Sequence, residues 1–217
     1  MASGMSRLYF ITMDDGPEDH LTQVRAVCDA GIRWIQLRMK EAGEEEYFET
    51  AKAALSICEE KGCKLMVNDR VGIAARIGAH GVHLGNGDMA IDEARKILGG
   101  TCIIGGTANT IEDIRKHAGH GADYIGLGPY RHTTTKKKLS PVLGLDGYRR
   151  ILEQLHEEGI GIPVVAIGGI VQEDITGLMD AGVYGIAFSG MLVHAADKSA
   201  IVRELSKQTT FYADNSE

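Results

Sequence analysis

Ala30-Gly31-Ile32-Arg33-Trp34-Ile35-Gln36-Leu37 sets the reading of the whole chain. An amphipathic segment stops at a glycine, and a short apolar run begins at once. Gly ends a helix readily because, without a Cβ, it adopts the left-handed backbone at no steric cost. The pattern returns as Ile77-Gly78-Ala79-His80-Gly81-Val82-His83-Leu84, as His120-Gly121-Ala122-Asp123-Tyr124-Ile125-Gly126-Leu127 and as Ala181-Gly182-Val183-Tyr184-Gly185-Ile186-Ala187-Phe188. Looser copies stand at Gly62, Gly99 and Gly159. The runs are short and rich in Ile and Val, as buried parallel strands are.

Worked outward, the alternation predicts strands near Arg7–Thr12, Trp34–Arg38, Lys64–Asn68, Gly81–Leu84, Ile103–Thr107, Tyr124–Gly126, Val164–Ile167 and Gly185–Phe188. Helices follow near Asp19–Ala30, Glu44–Lys61, Arg70–Ile77, Ala90–Leu98, Ile111–His120, Leu145–Glu158, Gln172–Ala181 and Lys198–Lys207. Pro17, Pro129, Pro141 and Pro163 all fall outside these helices, as their missing N–H requires. Eight strand–helix units in 217 residues favour an α/β fold, a single (β/α)8 TIM barrel, over an open doubly wound sheet. The chain is read as one domain over 1–217, with residues 1–6 and about 208–217 as flexible tails. The longest connection, Leu127–Gly144, follows the sixth strand, and a loop of that length is usually functional.

The balance of 23 basic and 30 acidic residues gives a net charge of −7, which argues against a nucleic-acid platform. No stretch reaches the roughly 18 apolar residues of a membrane span, and Met1–Met5 does not read as a signal peptide. Cys28, Cys58, Cys63 and Cys102 lack zinc spacing and read as reduced buried thiols of a cytoplasmic protein.

In such a barrel the chemistry lies at the C-terminal ends of the strands. The second strand ends Gln36-Leu37-Arg38-Met39-Lys40, so alternation puts Gln36, Arg38 and Lys40 on one side. Two cations with no acid between them suit an anion. Asp69 and Asp88 end adjacent strands and could share Mg²⁺ beside a diphosphate. Each also stands just before a helix, where it could be an N-cap. Thr107 offers a hydroxyl beside small residues. Thr133-Thr134-Thr135-Lys136-Lys137-Lys138 is a weak phosphate-loop signal. Gly168-Gly169 and Ser189-Gly190 occupy the places after strands seven and eight where barrels bind phosphate on backbone N–H groups. The two anion sites face each other, which implies two phosphorylated substrates or one phosphorylated at both ends. His83 reads as a core histidine, and His117 and His120 as solvated helix residues.

Six motifs in order carry a resemblance: Gln-Leu-Arg-x-Lys (36–40), Asn-Asp-Arg (68–70), Gly-Val-His-Leu-Gly-x-x-Asp (81–88), Ala-Asp-Tyr-Ile-Gly-x-Gly-Pro (122–129), Thr-x-Thr-Lys (133–136) and Ala-Ile-Gly-Gly-Ile (166–170). From about Leu8 to Lys207 the chain resembles the thiamine-phosphate synthases, also called thiamine-phosphate pyrophosphorylases. The resemblance implies a transferase that joins a hydroxymethylpyrimidine diphosphate to a thiazole phosphate, with Mg²⁺ as cofactor and no nucleic acid or membrane partner. It leaves room for a homo-oligomer. It assigns Gln36, Arg38, Lys40, Asn68, Thr107 and Lys136 to the pyrimidine diphosphate, with Arg38, Lys40 and Lys136 catalytic. It assigns Asp69 and Asp88 to the metal, and Thr133, Thr135, Gly169, Phe188 and Ser189 to the thiazole phosphate. Thr107, Asn109, Asn86 and Phe188 depart from the residues usual in that family (Ser, His, Gln and Ile), and Tyr130-Arg131-His132 replaces a more apolar run. Two other readings are a thiazole tautomerase paralogue, for which a His is expected where Pro129 stands, and a non-catalytic phosphate sensor.

Overall fold

The structure, a computed structural model, describes residues 5–132 and 141–210. Eight parallel strands pair in sequence order and close into a barrel. They are β1 (Leu8–Ile11), β2 (Trp34–Leu37), β3 (Lys64–Asn68), β4 (Gly81–Leu84), β5 (Ile103–Ala108), β6 (Tyr124–Leu127), β7 (Val164–Ala166) and β8 (Gly185–Phe188). Each is followed by helix: α1 (His20–Ala30), α2 (Glu44–Glu60), α3 (Val71–Ile77), α4 (Ile91–Leu98), α5 (Ile111–Gly119), α6 (Gly144–Glu157), α7 (Ile175–Asp180), α8 (Gly190–Val193) and α9 (Lys198–Thr210).

The glycine punctuation has the expected cause. Gly31 closes α1 at φ 109°, and its N–H returns to the Cys28 carbonyl at 3.1 Å. At the other end Asp19 caps α1 by accepting from Thr22 N at 2.8 Å. Thr110 and Asp113 form a reciprocal capping box on α5.

Alternation along the strands makes two cores. Outward residues such as Phe10, Ile35, Leu37, Val67, Val82, Ile104, Ile125 and Ile186 pack under the helices. Inward residues Tyr9, Ile11, Trp34, Met66, Tyr124, Val165 and Ala187, with Met5, fill the barrel floor. Tyr9 stacks on Trp34 with ring centroids 4.1 Å apart, and Tyr124 meets both edge-on. These side chains fill the floor, and a cavity opens at the opposite end, beyond the C-terminal ends of the strands.

Strand limits match the sequence reading to within one or two residues. Three features differ. The seventh crossover opens with a 3-10 turn at Gln172–Asp174 before α7. α8, only four residues long, was not expected, because a single turn shows no period. Ordered structure also reaches a few residues further toward each end than the expected tails of 1–6 and about 208–217 allow. Met5 is buried and its carbonyl accepts from the Tyr184 hydroxyl at 2.6 Å, while α9 runs through Gln208 and the buried Thr209 to Thr210. All four cysteines are buried and free of sulfur–sulfur bonds.

Candidate active site

The β2–β3 side of the mouth is built around buried Gln36, whose Nε2 donates to Asn68 Oδ1 at 2.9 Å. Tyr47 of α2 reaches between the two strands. Its hydroxyl donates to the Leu37 carbonyl at 2.6 Å and accepts from Asn68 N at 3.2 Å. The Thr12 hydroxyl, at the end of β1, accepts from Arg38 N at 3.0 Å and lies 2.9 Å from His20 Nδ1. His20 Nε2 in turn sits 3.2 Å from Asp14. Burial pulls the Arg38 guanidinium down, opposed by the negative charges of Asp14 and Asp69. Lys40 is exposed at the rim, where its N–H meets Asp14 at 3.4 Å. Arg38 and Lys40 thus lie beyond the strand proper, on the loop at its end.

Asp69 and Asp88 lie close enough to interact. Burial and the neighbouring Asp88 carboxylate, within hydrogen-bonding reach, push the Asp69 carboxyl up to about 7. Neither residue is an N-cap. The caps of α3 and α4 are Arg70 and Ala90, and Asp88 Oδ2 instead accepts from Gly85 N at 2.6 Å. Asp69 is the one non-glycine with positive φ among the described residues, at 61°. Such backbone strain gathers at functional sites.

Inward from these groups, Thr107 of β5 shares its hydroxyl with His83 Nε2 at 3.0 Å. His83 Nδ1 meets Tyr124 OH at 2.9 Å, and Tyr124 OH meets Tyr9 OH at 3.0 Å. His83 is therefore buried, as expected, yet it also lines the mouth. His117 is a correction. It is not solvated but buried, with Nε2 2.9 Å from the Thr107 carbonyl and 3.1 Å from Asn86 Oδ1. Its ring lies over Gly106, where a Cβ would approach it to 2.9 Å, so the glycine admits it. Burial lowers its pKa. Asn109 donates to the Gly128 carbonyl.

On the β7–β8 side, Gly168 (φ 100°) and Gly169 (φ 68°) make a turn that only glycine adopts without strain. Ser189 follows β8 and borders the mouth, with its Oγ buried and without a hydrogen-bond partner among the described residues. Phe188 lines the mouth, but its side chain packs in the outer core, so it offers main chain only. Thr133, Thr135 and Lys136 lie outside the described residues.

Between the two sides is a cavity of about 430 Å³, bordered by Gln36, Arg38, Asn68, Thr107, Gly169 and Ser189. Pockets of this size hold small organic ligands. Tyr47, Asp14 and His20 carry no motif signal in the sequence. Their roles arise only when α2 and the β1 loop dock against the strand ends.

The profile of the family described as thiamine monophosphate synthase matches residues 8–192. A thiamine-phosphate synthase of Bacteroides fragilis is 52% identical over 193 residues, 89% of this chain and 95% of that protein. One from Flavobacterium johnsoniae is 44% identical over 203 residues, 94% and 96% of the two chains. The solved thiamine phosphate pyrophosphorylase of Pyrococcus furiosus superposes with a TM-score of 0.82 at 33% identity, covering 95% of this chain and 96% of its own. With the barrel, the paired strand-end carboxylates and the glycine turn, these matches show that the chain belongs to the thiamine monophosphate synthase family.

Proposed function

We propose that the barrel mouth transfers a hydroxymethylpyrimidine group from its diphosphate to the ring nitrogen of a thiazole phosphate, releasing diphosphate and forming thiamine phosphate. The observation that carries this is one cavity with anion-ready chemistry at both ends: Arg38 beside β2, with Lys40 exposed on the rim two residues on, and the Gly168–Gly169 turn beside β7 with a Ser189 hydroxyl after β8 that has no partner among the described residues.

The reaction breaks the bond from the pyrimidine methylene carbon to the diphosphate oxygen and forms one from that carbon to the thiazole nitrogen. The electron-rich pyrimidine carries the positive charge that develops on the methylene, so the protein need supply no nucleophile. It must stabilise the leaving group and align the acceptor. Arg38 and Lys40 take the first role with Lys136. Asn68, held by Gln36, and Thr107, held by His83, fix the pyrimidine. Thr133, Thr135, Gly169, Ser189 and the Phe188 main chain hold the thiazole phosphate. Asp69 and Asp88 suit Mg²⁺: two carboxylates converge, neither caps a helix, and their mutual repulsion falls when a cation lies between them. When bound there, Mg²⁺ supplies positive charge to the diphosphate oxygens.

The test is incubation with both substrates and Mg²⁺, reading product mass and diphosphate release. Turnover supports the synthase. Ligand binding without turnover supports the sensor, and proton exchange on the thiazole alone supports the tautomerase. Against the tautomerase, Pro129 occupies the position where a His is expected, and His132 is exposed.

A further inference from the structure

The first residues of the β6 exit hold the β7 exit by three successive carbonyls. Tyr130 N donates to the Ile167 carbonyl at 2.9 Å, and Arg131 N to the Gly168 carbonyl at 2.9 Å. The third bond comes from a side chain: Arg131 Nη1 donates to the Gly169 carbonyl at 2.9 Å. Asp174 locks that guanidinium with a two-pronged pair at 2.7 and 2.8 Å, and also accepts from Val171 N at 2.9 Å. The turn packs closely on this segment, since a Cβ on Gly169 would come within 3.0 Å of Arg131 Cβ.

Peptide planarity converts these contacts into a direction. In a trans peptide the N–H points opposite to the C=O of the same unit. Each carbonyl drawn toward the β6 side turns the following N–H toward the β8 side, where the Ser189 hydroxyl has no partner among the described residues. Two of the three carbonyls are fixed by main chain. Among the described residues, the Gly169–Ile170 peptide is held by Arg131 alone, and a glycine at its start can rotate freely. The ion pair is half-exposed on its arginine side, where such pairs add little stability. Its forked geometry contributes orientation instead.

We propose that Arg131, clasped by Asp174, is a positioning residue that fixes the Gly169–Ile170 peptide with its N–H toward the phosphate of the thiazole substrate. This rests on assigning the thiazole phosphate to the Gly168–Gly169 turn. Arginine is required for it. A lysine can keep the contact with Asp174 but cannot span the carboxylate and the carbonyl with one rigid fork.

Steady-state kinetics on the full chain with both substrates tests it, using Arg131→Gln, Arg131→Lys, Asp174→Asn and Gly169→Ala, alongside thermal unfolding. Arg131→Gln is expected to raise KM for the thiazole phosphate about tenfold and leave KM for the pyrimidine diphosphate within about twofold. Asp174→Asn should act in the same direction. Arg131→Lys should keep the parent's unfolding midpoint but not its KM. Rescue of both by lysine, or an equal rise in the two KM values, makes the clasp a structural tie and overturns the proposal. If Gly169→Ala raises the thiazole KM while Arg131→Gln leaves it unchanged, the turn binds phosphate and the clasp plays no part. If neither substitution moves it, the phosphate assignment itself falls, and the proposal with it.

Discussion

At Asp69 a carboxylate sits on a left-handed backbone, partly out of water and facing a second carboxylate. Its pKa, pushed up to about 7, lies above the ordinary unfolded value. Without metal, the folded chain therefore holds a proton there that the unfolded chain has released. That contribution to stability is complete below the usual carboxylate range and is lost as pH rises through about 7. On the proposed Mg²⁺ assignment, binding at this pair needs both carboxylates deprotonated and so displaces the proton. Mg²⁺ should raise the unfolding midpoint more at pH 8 than at pH 6, and Asp69→Asn should remove the difference; differential scanning fluorimetry at the two pH values checks this. Ser189 carries the opposite sign. Its buried hydroxyl lacks a partner among the described residues, and an unsatisfied buried polar group costs about 1–3 kcal/mol. Ser189→Ala should leave stability unchanged or improved while raising KM for the thiazole phosphate, seen by pairing urea unfolding with kinetics. The place of Gln36, Asn68 and Thr107 at the mouth was legible because strand-end position alone brings them there. His117 was misread because helical spacing shows which side of a helix a residue takes, not that Gly106 leaves room for a ring beneath it.

Among the elements, α2 and α6 do the same work on opposite sides of the barrel. Tyr47 joins β2 to β3, and Tyr148 joins β6 to β7 by donating to the Leu127 carbonyl and accepting from Ile167 N at 3.3 Å. Both rings are fully buried, and each hydroxyl bonds main-chain groups of both neighbouring strands just where the strands end. Phenylalanine keeps the packing but strands those groups. Tyr47→Phe and Tyr148→Phe should each cost about 1–3 kcal/mol, read as a lower urea midpoint at unchanged slope. The helices themselves were legible from the glycines that end them. The tyrosine contacts were not, because the partner carbonyls of Leu37 and Leu127 look like any others in sequence.

For the molecule as a whole, closure happens at the β1–β8 seam, where Leu8, Tyr9 and Phe10 register with Ile186, Ala187 and Phe188. Gly185 sits at its lower end, and a Cβ there would press on the Arg7 carbonyl at 2.5 Å and Arg7 Cα at 2.9 Å. Main chain cannot swing aside as a side chain can, so Gly185→Ala should cost about 1–3 kcal/mol of overpacking. It should also speed hydrogen exchange at β1 and β8 before the other strands. Strand count and order were legible from the alternation, since eight units in so short a chain leave the ring as the economical arrangement. The register at the seam was not, because it joins residues nearly the whole chain apart. The floor beneath that seam also gives the molecule an optical signature. Its sole tryptophan, Trp34, lies inside the ring against Tyr9 and Tyr124, one layer below Gln36. Indole emission from this protein thus has a single origin, shielded from water and fed by excitation energy from two adjacent phenols. Its colour follows whether the ring is shut, and stays blind to fraying of the outer helices.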